Sequence, residues 1–121
     1  MNTLNHLNLS TSDVAALADF FHRVFDFRMV DERGAGNFAI MSSEYGFVLT
    51  LMKDKTLREQ GYPGAFHVGF LQPDRTAVQD VHARTQAIGL SAPSPGLMRE
   101  NTFGFYVQAP GGVVVEVSSR A

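Results

Sequence analysis

The sequence contains no cysteine, which excludes disulfides, thiolate metal sites and a cysteine nucleophile. Any bound metal ion must therefore use nitrogen and oxygen ligands. The chain also lacks an excess of positive charge, because its formal net charge is -2 at pH 7. A basic surface for a phosphate backbone is thus missing, and we expect no nucleic-acid partner.

Long apolar runs are absent as well, since none approaches the roughly 20 residues that span a bilayer. The first residues do not combine a positive region with an apolar stretch, as a secretory signal would. We therefore expect a cytoplasmic protein without membrane contact. The 121 residues, with 45% hydrophobic and 18% charged side chains, are typical of one globular domain.

The first half of the sequence predicts a strand, a helix and three further strands. Asn2 to Ser10 alternates apolar and polar side chains, which is typical of a strand. Ser12 or Asp13 can cap a helix whose apolar residues recur at three- and four-residue steps. Three short β-rich runs separated by glycine-containing turns follow at Phe27 to Arg33, Asn37 to Ser42 and Gly46 to Met52.

The second half repeats this order after a polar, Gly- and Pro-containing segment, Lys53 to Gly64, which we interpret as a surface linker. The linker would join modules of about residues 1–52 and 65–121. The predicted elements of the second module are a strand at Ala65 to Leu71, a helix capped by Asp74 and ended by Gly89, a loop or broken edge strand at Ser91 to Pro95, and a hairpin of Thr102 to Gln108 with Val113 to Ser118.

An alignment of the halves supports the repeat. His6 corresponds to His67, and later in the modules Thr50 corresponds to Glu116. Few residues are identical, so the shared order of elements is stronger evidence than the aligned letters. The sequence thus predicts one α+β domain of two βαβββ modules.

Three residues at matching ends of the modules are candidate metal ligands. A lone histidine on a strand is more often a structural or surface residue than a ligand. Glu116 lies within VVVEV, where burial of a carboxylate is unfavourable unless a partner pairs with it, although an exposed edge is an alternative. Because His6 and His67 open the two modules and Glu116 closes the last strand, one divalent metal site of these three residues is favoured.

The sequence resembles the vicinal oxygen chelate superfamily, which includes glyoxalases, extradiol dioxygenases, fosfomycin-resistance thiol transferases and bleomycin-resistance proteins. The resemblance lies in NHLNLSTSDVAALADFFHRVFDF, FHVGF and FYVQAPGGVVVEV, in that order, and it covers essentially the whole chain. It implies paired βαβββ modules whose curved mixed sheets surround a cleft. It also implies metal ligands on the first and last strands of the modules.

His6, His67 and Glu116 match three of the family's four ligand positions, and Thr50 stands at the fourth. This departure makes the glyoxalase reaction less probable than in a chain with four ligands. Two imidazoles and one carboxylate leave adjacent sites on Fe, Mn, Ni, Co or Zn for a substrate with two neighbouring oxygens. The resemblance therefore implies one divalent metal per site and chemistry of the lyase or extradiol dioxygenase type.

Further residues are candidates for contact with the substrate. Tyr106 precedes Glu116 at the interval found in the fosfomycin enzymes, so it is a candidate catalytic proton donor or a stacking residue. The segment from Met98 to Thr102 lacks those enzymes' potassium-binding serines, which disfavours fosfomycin as the substrate. Asn8 could bind substrate, and Thr50 is either a polar wall of the site or a core threonine. Two further histidines, His22 and His82, are interpreted as surface residues.

The leading hypothesis is a metal-dependent enzyme acting on a small oxygen-rich substrate. The alternative is a metal-free drug- or metabolite-binding protein of the bleomycin-resistance type, and a third is a structural or regulatory dimer whose histidines are incidental. We expect a homodimer in each case. The modules can pair within a chain or exchange across the dimer, and both arrangements stay open.

Overall fold

The chain forms two compact units, each built on a four-stranded mixed sheet. The structure is a computed structural model that describes the backbone of residues 1–121 and all side chains except those of residues 58–60. Unit 1 comprises Met1–Tyr62 together with Pro110–Gly112, and unit 2 comprises Pro63–Ala109 together with Val113–Ala121.

Unit 1 has the strand order β1-β4-β3-β2, in which β1 runs parallel to β4 and the other neighbours are antiparallel. Its elements are β1 (His6–Thr11), α1 (Val14–Phe25), β2 (Arg28–Arg33), β3 (Phe38–Ser42), β4 (Val48–Lys53) and α2 (Lys55–Gln60).

Helix α1 packs its apolar stripe on the inner strands β3 and β4. It begins where the Asp13 carboxylate accepts a hydrogen bond from the Ala16 amide, and it ends where Asp26 adopts a left-handed conformation with φ 62°. The cap is one of the two candidates that the sequence offered. Leu17, Phe21 and other side chains of the stripe are almost fully buried, and each contributes about 1.5–3 kcal/mol of hydrophobic stabilisation.

Unit 2 repeats this arrangement with the strand order β5-β8-β7-β6, in which β5 runs parallel to β8. Its elements are β5 (His67–Leu71), α3 (Arg75–Ala87), β6 (Gly96–Arg99), β7 (Thr102–Gln108) and β8 (Val114–Arg120). The predicted fold class, two βαβββ modules of the α+β class, is therefore confirmed.

Helix α3 covers one face of β7 and β8. The Asp74 carboxylate caps its first turn by accepting from the Ala77 amide, and Gly89, at φ 87°, follows its end. Phe105 and Val117 face this helix, so the intervening residues of both strands point to the opposite face. The helix has 13 residues, and none of the described helices is long and apolar enough to cross a bilayer.

The strand registers confirm the alignment of the two halves. In unit 1, Asn8 on β1 lies opposite Thr50 on β4. In unit 2, Gly69 on β5 lies opposite Glu116 on β8. Asn8 follows His6 by two residues, and Gly69 follows His67 by two residues. Their strand partners, Thr50 and Glu116, therefore occupy equivalent positions.

Two elements differ from the sequence prediction. The predicted linker contains helix α2, because Asp54 accepts a hydrogen bond from the Thr56 amide and so starts a helical turn within a polar segment. The edge strand of the second module, predicted as a loop or broken edge strand at Ser91 to Pro95, instead begins at Gly96 as β6, which has only four residues and a register shift between Leu97 and Arg99. Such a short irregular edge strand has no recognisable alternation of apolar and polar residues.

His82 was predicted to be a surface residue, and this prediction is wrong. Its exposure is only 8%, its ring packs edge-on against Phe105 at 4.9 Å, and its Nε2 lies 3.3 Å from the Ala92 carbonyl oxygen. His82 is four residues after Val78, so it belongs to the buried stripe of α3, and its polar atom is satisfied there. His22 is exposed, as predicted.

We predict that Gly104→Ala destabilises unit 2 by at least about 1–3 kcal/mol, the range typical of overpacking. A Cβ at Gly104 on β7 would lie 2.1 Å from the Val117 carbonyl oxygen and 2.8 Å from the Ser118 Cα, and backbone atoms cannot move away easily. Chemical denaturation monitored by circular dichroism measures the difference.

The matched control is Gly96→Ala, because Gly96 is the β6 partner of Gly104. A Cβ there would meet no heavy atom within 4 Å in the described part of the chain. We expect the control to unfold at or above the wild-type midpoint. Equal stability of the two variants would contradict the packing argument.

Candidate functional site

Glu116 is the centre of a polar cluster on the face of the unit 2 sheet opposite α3. It lies on β8 between Gly69 of β5 and Tyr106 of β7, its direct partners in the two neighbouring strands. His67 and Ser118 precede and follow these positions by two residues on their own strands, so they point to the same face. The strand pairing thus brings together three residues predicted from sequence: His67, Tyr106 and Glu116.

The carboxylate of Glu116 accepts four hydrogen bonds. Arg99 extends from β6 and donates through both terminal nitrogens of its guanidinium group, Nη1 to Oε1 at 3.0 Å and Nη2 to Oε2 at 3.1 Å. The Tyr106 hydroxyl donates to Oε1 at 2.7 Å, and the Ser118 hydroxyl donates to Oε2 at 3.0 Å. Four donors match the roughly four lone-pair positions of a carboxylate, so Glu116 has no free acceptor position.

This pairing explains how a carboxylate that is only 6% exposed stays ionised. The Arg99 guanidinium, assisted by the hydroxyls of Tyr106 and Ser118, holds the pKa of Glu116 at about 2, although burial acts in the opposite direction. The hydrogen bond to Glu116 in turn raises the pKa values of the Tyr106 phenol and the Arg99 guanidinium. At neutral pH, Tyr106 is therefore a protonated hydrogen-bond donor.

In the neutral form of its ring, His67 presents Nε2 to this cluster. Its Nδ1 lies 3.0 Å from the Ala65 carbonyl oxygen, which can only accept, so Nδ1 is the protonated nitrogen of the neutral ring. Its Nε2 then has a free lone pair and lies 3.9 Å from Glu116 Oε1. Tyr106 packs edge-on against the imidazole at 5.6 Å and restricts its orientation. A backbone acceptor on the far nitrogen is the arrangement typical of histidines that bind metal through Nε2.

Unit 1 contains the other predicted site residues, His6, Asn8 and Thr50, on β1 and β4. The Asn8 amide donates to the Thr50 hydroxyl oxygen at 2.7 Å, and Thr50 Oγ1 lies 3.5 Å from the Leu7 carbonyl oxygen. Thr50 is half-buried and bonds to the backbone, as predicted for a core threonine, and its role as a polar wall of the site stays a prediction. His6 is exposed, and its Nδ1 lies 2.7 Å from Asn5 Oδ1, which again favours a free Nε2.

The pair of His67 and Glu116 fits a divalent ion in its donor chemistry. His67 Nε2 lies 3.9 Å from Glu116 Oε1, and an imidazole nitrogen and a carboxylate oxygen are the kinds of donor that would hold such an ion. However, Arg99 holds both carboxylate oxygens, so one side chain must move first. Among the residues with described side chains, no group of three or more His, Cys, Asp or Glu is placed to hold a metal ion. The roles of His6, His67 and Glu116 as metal ligands therefore stay a prediction.

Sequence reasoning missed Arg99 and Ser118 as members of the cluster. Ser118 could have been found, because it follows Glu116 by two residues on one strand and so shares its face. Arg99 could not, because its position depends on β6 at Gly96–Arg99, whereas the sequence placed the candidate edge strand at Ser91 to Pro95. The only hint was that a glutamate among valines requires a cationic or hydrogen-bonding partner.

We predict that Glu116→Gln destabilises the metal-free protein at pH 7 and that the loss shrinks as the pH falls from 5 towards 2. The pKa of Glu116 is lowered from 4.5 to about 2, so its ionised pairing stabilises the fold above pH 4.5 and is lost as the pH falls through 2. Urea unfolding of both proteins in EDTA at several pH values measures this difference.

The control is Asp31→Asn, which removes the carboxylate of an exposed ion pair with Arg33. An exposed pair contributes little, so we expect a much smaller difference across the same pH range. A destabilisation by Glu116→Gln that did not vary with pH would contradict the ionic pairing.

Comparison with known proteins identifies the family. The model of the Glyoxalase/Bleomycin resistance protein/Dioxygenase superfamily matches residues 3–117. A possible glyoxalase from Bacillus cereus is 38% identical, with 97% of this chain and 98% of that chain covered and a TM-score of 0.82. The comparison with curated proteins gave no significant match.

Two solved structures with lower identity share the fold. Lactoylglutathione lyase from Agrobacterium tumefaciens is 17% identical, with 98% of this chain and 94% of that chain covered and a TM-score of 0.75. The fosfomycin resistance protein FosX from Listeria monocytogenes is 15% identical, with 100% and 95% covered and a TM-score of 0.80. The family match confirms the resemblance inferred from the sequence motifs, and this chain belongs to the Glyoxalase/Bleomycin resistance protein/Dioxygenase superfamily.

Proposed function

We propose that the protein is a divalent-metal-dependent enzyme that acts on a small oxygen-rich substrate bound through two neighbouring oxygens. The supporting observation is the free Nε2 of His67 beside the ionised carboxylate of Glu116. His67 and Glu116 would be two ligands, and His6 would be the third. Membership of a superfamily that includes glyoxalases and dioxygenases supports this class of chemistry.

The ion, one of Fe, Mn, Ni, Co or Zn, would supply Lewis acidity that stabilises negative charge on a substrate oxygen. Thr50 provides no fourth carboxylate or imidazole, so three protein ligands would leave adjacent positions for a chelating substrate. This ligand set favours lyase or dioxygenase chemistry in which the substrate binds through two oxygens.

The surrounding side chains would position the substrate and move protons. The Tyr106 hydroxyl is a protonated donor on a side chain that is 40% exposed, so it can donate a hydrogen bond or a proton to a substrate oxygen. Asn8 donates to Thr50 but keeps its carbonyl oxygen free of that bond, and this oxygen could accept from a substrate hydroxyl. Tyr106 is therefore the proposed catalytic residue, and Asn8 and Thr50 are proposed substrate contacts.

A metal-free protein that binds a drug or metabolite is the second candidate function. The observation that favours it is the neutralisation of Glu116 by Arg99, which satisfies the carboxylate without any ion. In this case the exposed aromatic ring of Tyr106 would contact a planar ligand, and no chemistry would follow.

The proposed assembly is a homodimer. Several large apolar side chains are exposed in the chain, including Val30 at 63%, Leu71 at 76% and Leu97 at 71%. Exposed apolar surface of this kind is typical of protein contacts when it is contiguous. Sedimentation equilibrium of the purified protein would return the mass of two chains, whereas the mass of one chain would refute the proposal.

We predict that the purified protein binds about one divalent ion per chain, as expected for a site with three protein ligands. The single changes His67→Ala, Glu116→Ala and His6→Ala should each weaken binding by about 100-fold or more, because each removes a ligand. Elemental analysis after dialysis and calorimetric titration with Mn²⁺ measure stoichiometry and affinity.

His22→Ala is the matched control, because His22 is an exposed histidine on α1, and it should bind the ion like the wild type. Retention by His6→Ala alone would remove His6 from the ligand set. A wild-type protein that takes up no ion even at excess would refute the metal site and favour the metal-free candidate.

A further inference from the structure

We infer that Arg99 is an exchangeable counter-ion of Glu116, which leaves the carboxylate when a divalent ion binds and then recognises an anionic group on the substrate. This inference rests on the proposed metal-dependent function and names a substrate class for it. That class is small molecules with two chelating oxygens and, in addition, a carboxylate.

The first step is that an ion and Arg99 cannot share Glu116. Its carboxylate already has four donors, so an ion must displace at least one of them. Arg99 supplies two of these four hydrogen bonds and is the charged member of the three donor side chains. A cation beside a divalent ion is repelled, whereas the neutral hydroxyls of Tyr106 and Ser118 are not. Electrostatics therefore selects Arg99 as the group that leaves.

The second step is that Arg99 is free to move. Its side chain is 54% exposed, whereas Glu116 is nearly buried and Ser118 is 7% exposed. Arg99 ends the four-residue strand β6, directly after the register shift that follows Leu97. A long, half-exposed side chain at the end of a short irregular strand can adopt another rotamer without disturbing the core.

The third step concerns what the released guanidinium binds. Arginine stays charged at every physiological pH and offers a planar fork that matches a carboxylate with two parallel hydrogen bonds. After release, this fork has lost the carboxylate that satisfied it, and it lies within one side-chain length of Glu116. A carboxylate on the bound substrate would replace Glu116 as its partner.

Calorimetric titration of the metal-free protein with Mn²⁺ tests the exchange. Arg99→Met should bind Mn²⁺ at least about 10-fold more tightly than the wild type, since the competing cation is gone. Arg99→Lys keeps the charge but loses the two-pronged contact, so its affinity should lie between them. Arg33→Met, which removes an arginine from an exposed pair on β2, should match the wild type.

Equal or weaker affinity in Arg99→Met would overturn the exchange while leaving the proposed metal site intact. Absence of binding in both the wild type and Arg99→Met would overturn the metal site and this inference together. Binding by Arg99→Met alone would also overturn both, because Arg99 would then keep the ion out of the wild type instead of leaving Glu116. Melting curves identify any variant that fails to fold, and Arg99→Lys then supplies the comparison.

A measurement on the unaltered protein is independent of any variant's stability. The guanidinium Nη–H signals of Arg99 in ¹⁵N spectra, assigned with Arg99→Lys, should shift and exchange faster with water when Zn²⁺ is added, because both Nη groups lose Glu116 as their acceptor. The Arg33 signal should not change. An Arg99 signal that is unaffected at saturating Zn²⁺ would overturn the exchange.

Recognition of the anion is tested with a matched pair of chelators, catechol and 3,4-dihydroxybenzoate, on the Zn²⁺-loaded protein. The second compound differs by one carboxylate, so the wild type should prefer it by about 10-fold or more. Arg99→Met should lose this preference while retaining catechol. An equal preference in both proteins would overturn the role of Arg99 in binding the substrate.

Discussion

The unit 2 site depends on one constraint, which is that a carboxylate on an inner strand needs partners if it is to stay ionised. Glu116 is flanked by β5 on one side and β7 on the other, and it is 6% exposed. Gly69 on β5 offers no side chain, and the hydrogen-bond donors to Glu116 come from β6, β7 and β8 itself. The positions of Arg99, Tyr106 and Ser118 follow from this requirement.

The order of elements along the chain and the correspondence of its two halves were predictable from the sequence, because both follow from patterns that involve many residues. Alternation along the strands, the aspartate caps of α1 and α3, and the matching of His6 with His67 each indicated the same repeated module. A fold can be predicted from one sequence when local patterns, such as alternation and helix caps, agree with long-range patterns, such as the internal repeat. The predicted equivalence of Thr50 and Glu116 is a direct consequence of this register.

The site was predictable only where a residue lies on a strand with a regular pattern. Tyr106 and Glu116 belong to β7 and β8, so their proximity follows from the hairpin register. Arg99 lies on a strand too short to show alternation, and its side chain crosses β7 to reach Glu116. The predicted exposure of His82 was wrong for another reason. Its spacing of four residues from Val78 places it in the buried stripe of α3 although its side chain is polar.

The equivalent positions of the two units carry side chains of different charge, and this difference bears on the proposed chemistry. In unit 1, Asn8 and Thr50 form a neutral hydrogen-bonded pair. In unit 2, Glu116 and Arg99 are neutral only as a pair. In the proposed site, a divalent ion held by Glu116 and two neutral imidazoles would keep one net positive charge. Arg99 would carry a second positive charge beside it. A ligand that carries two negative charges would restore neutrality, whereas a neutral chelator would not. In the proposed metal site, electrostatic balance thus favours anionic substrates, whatever their shape complementarity to the site.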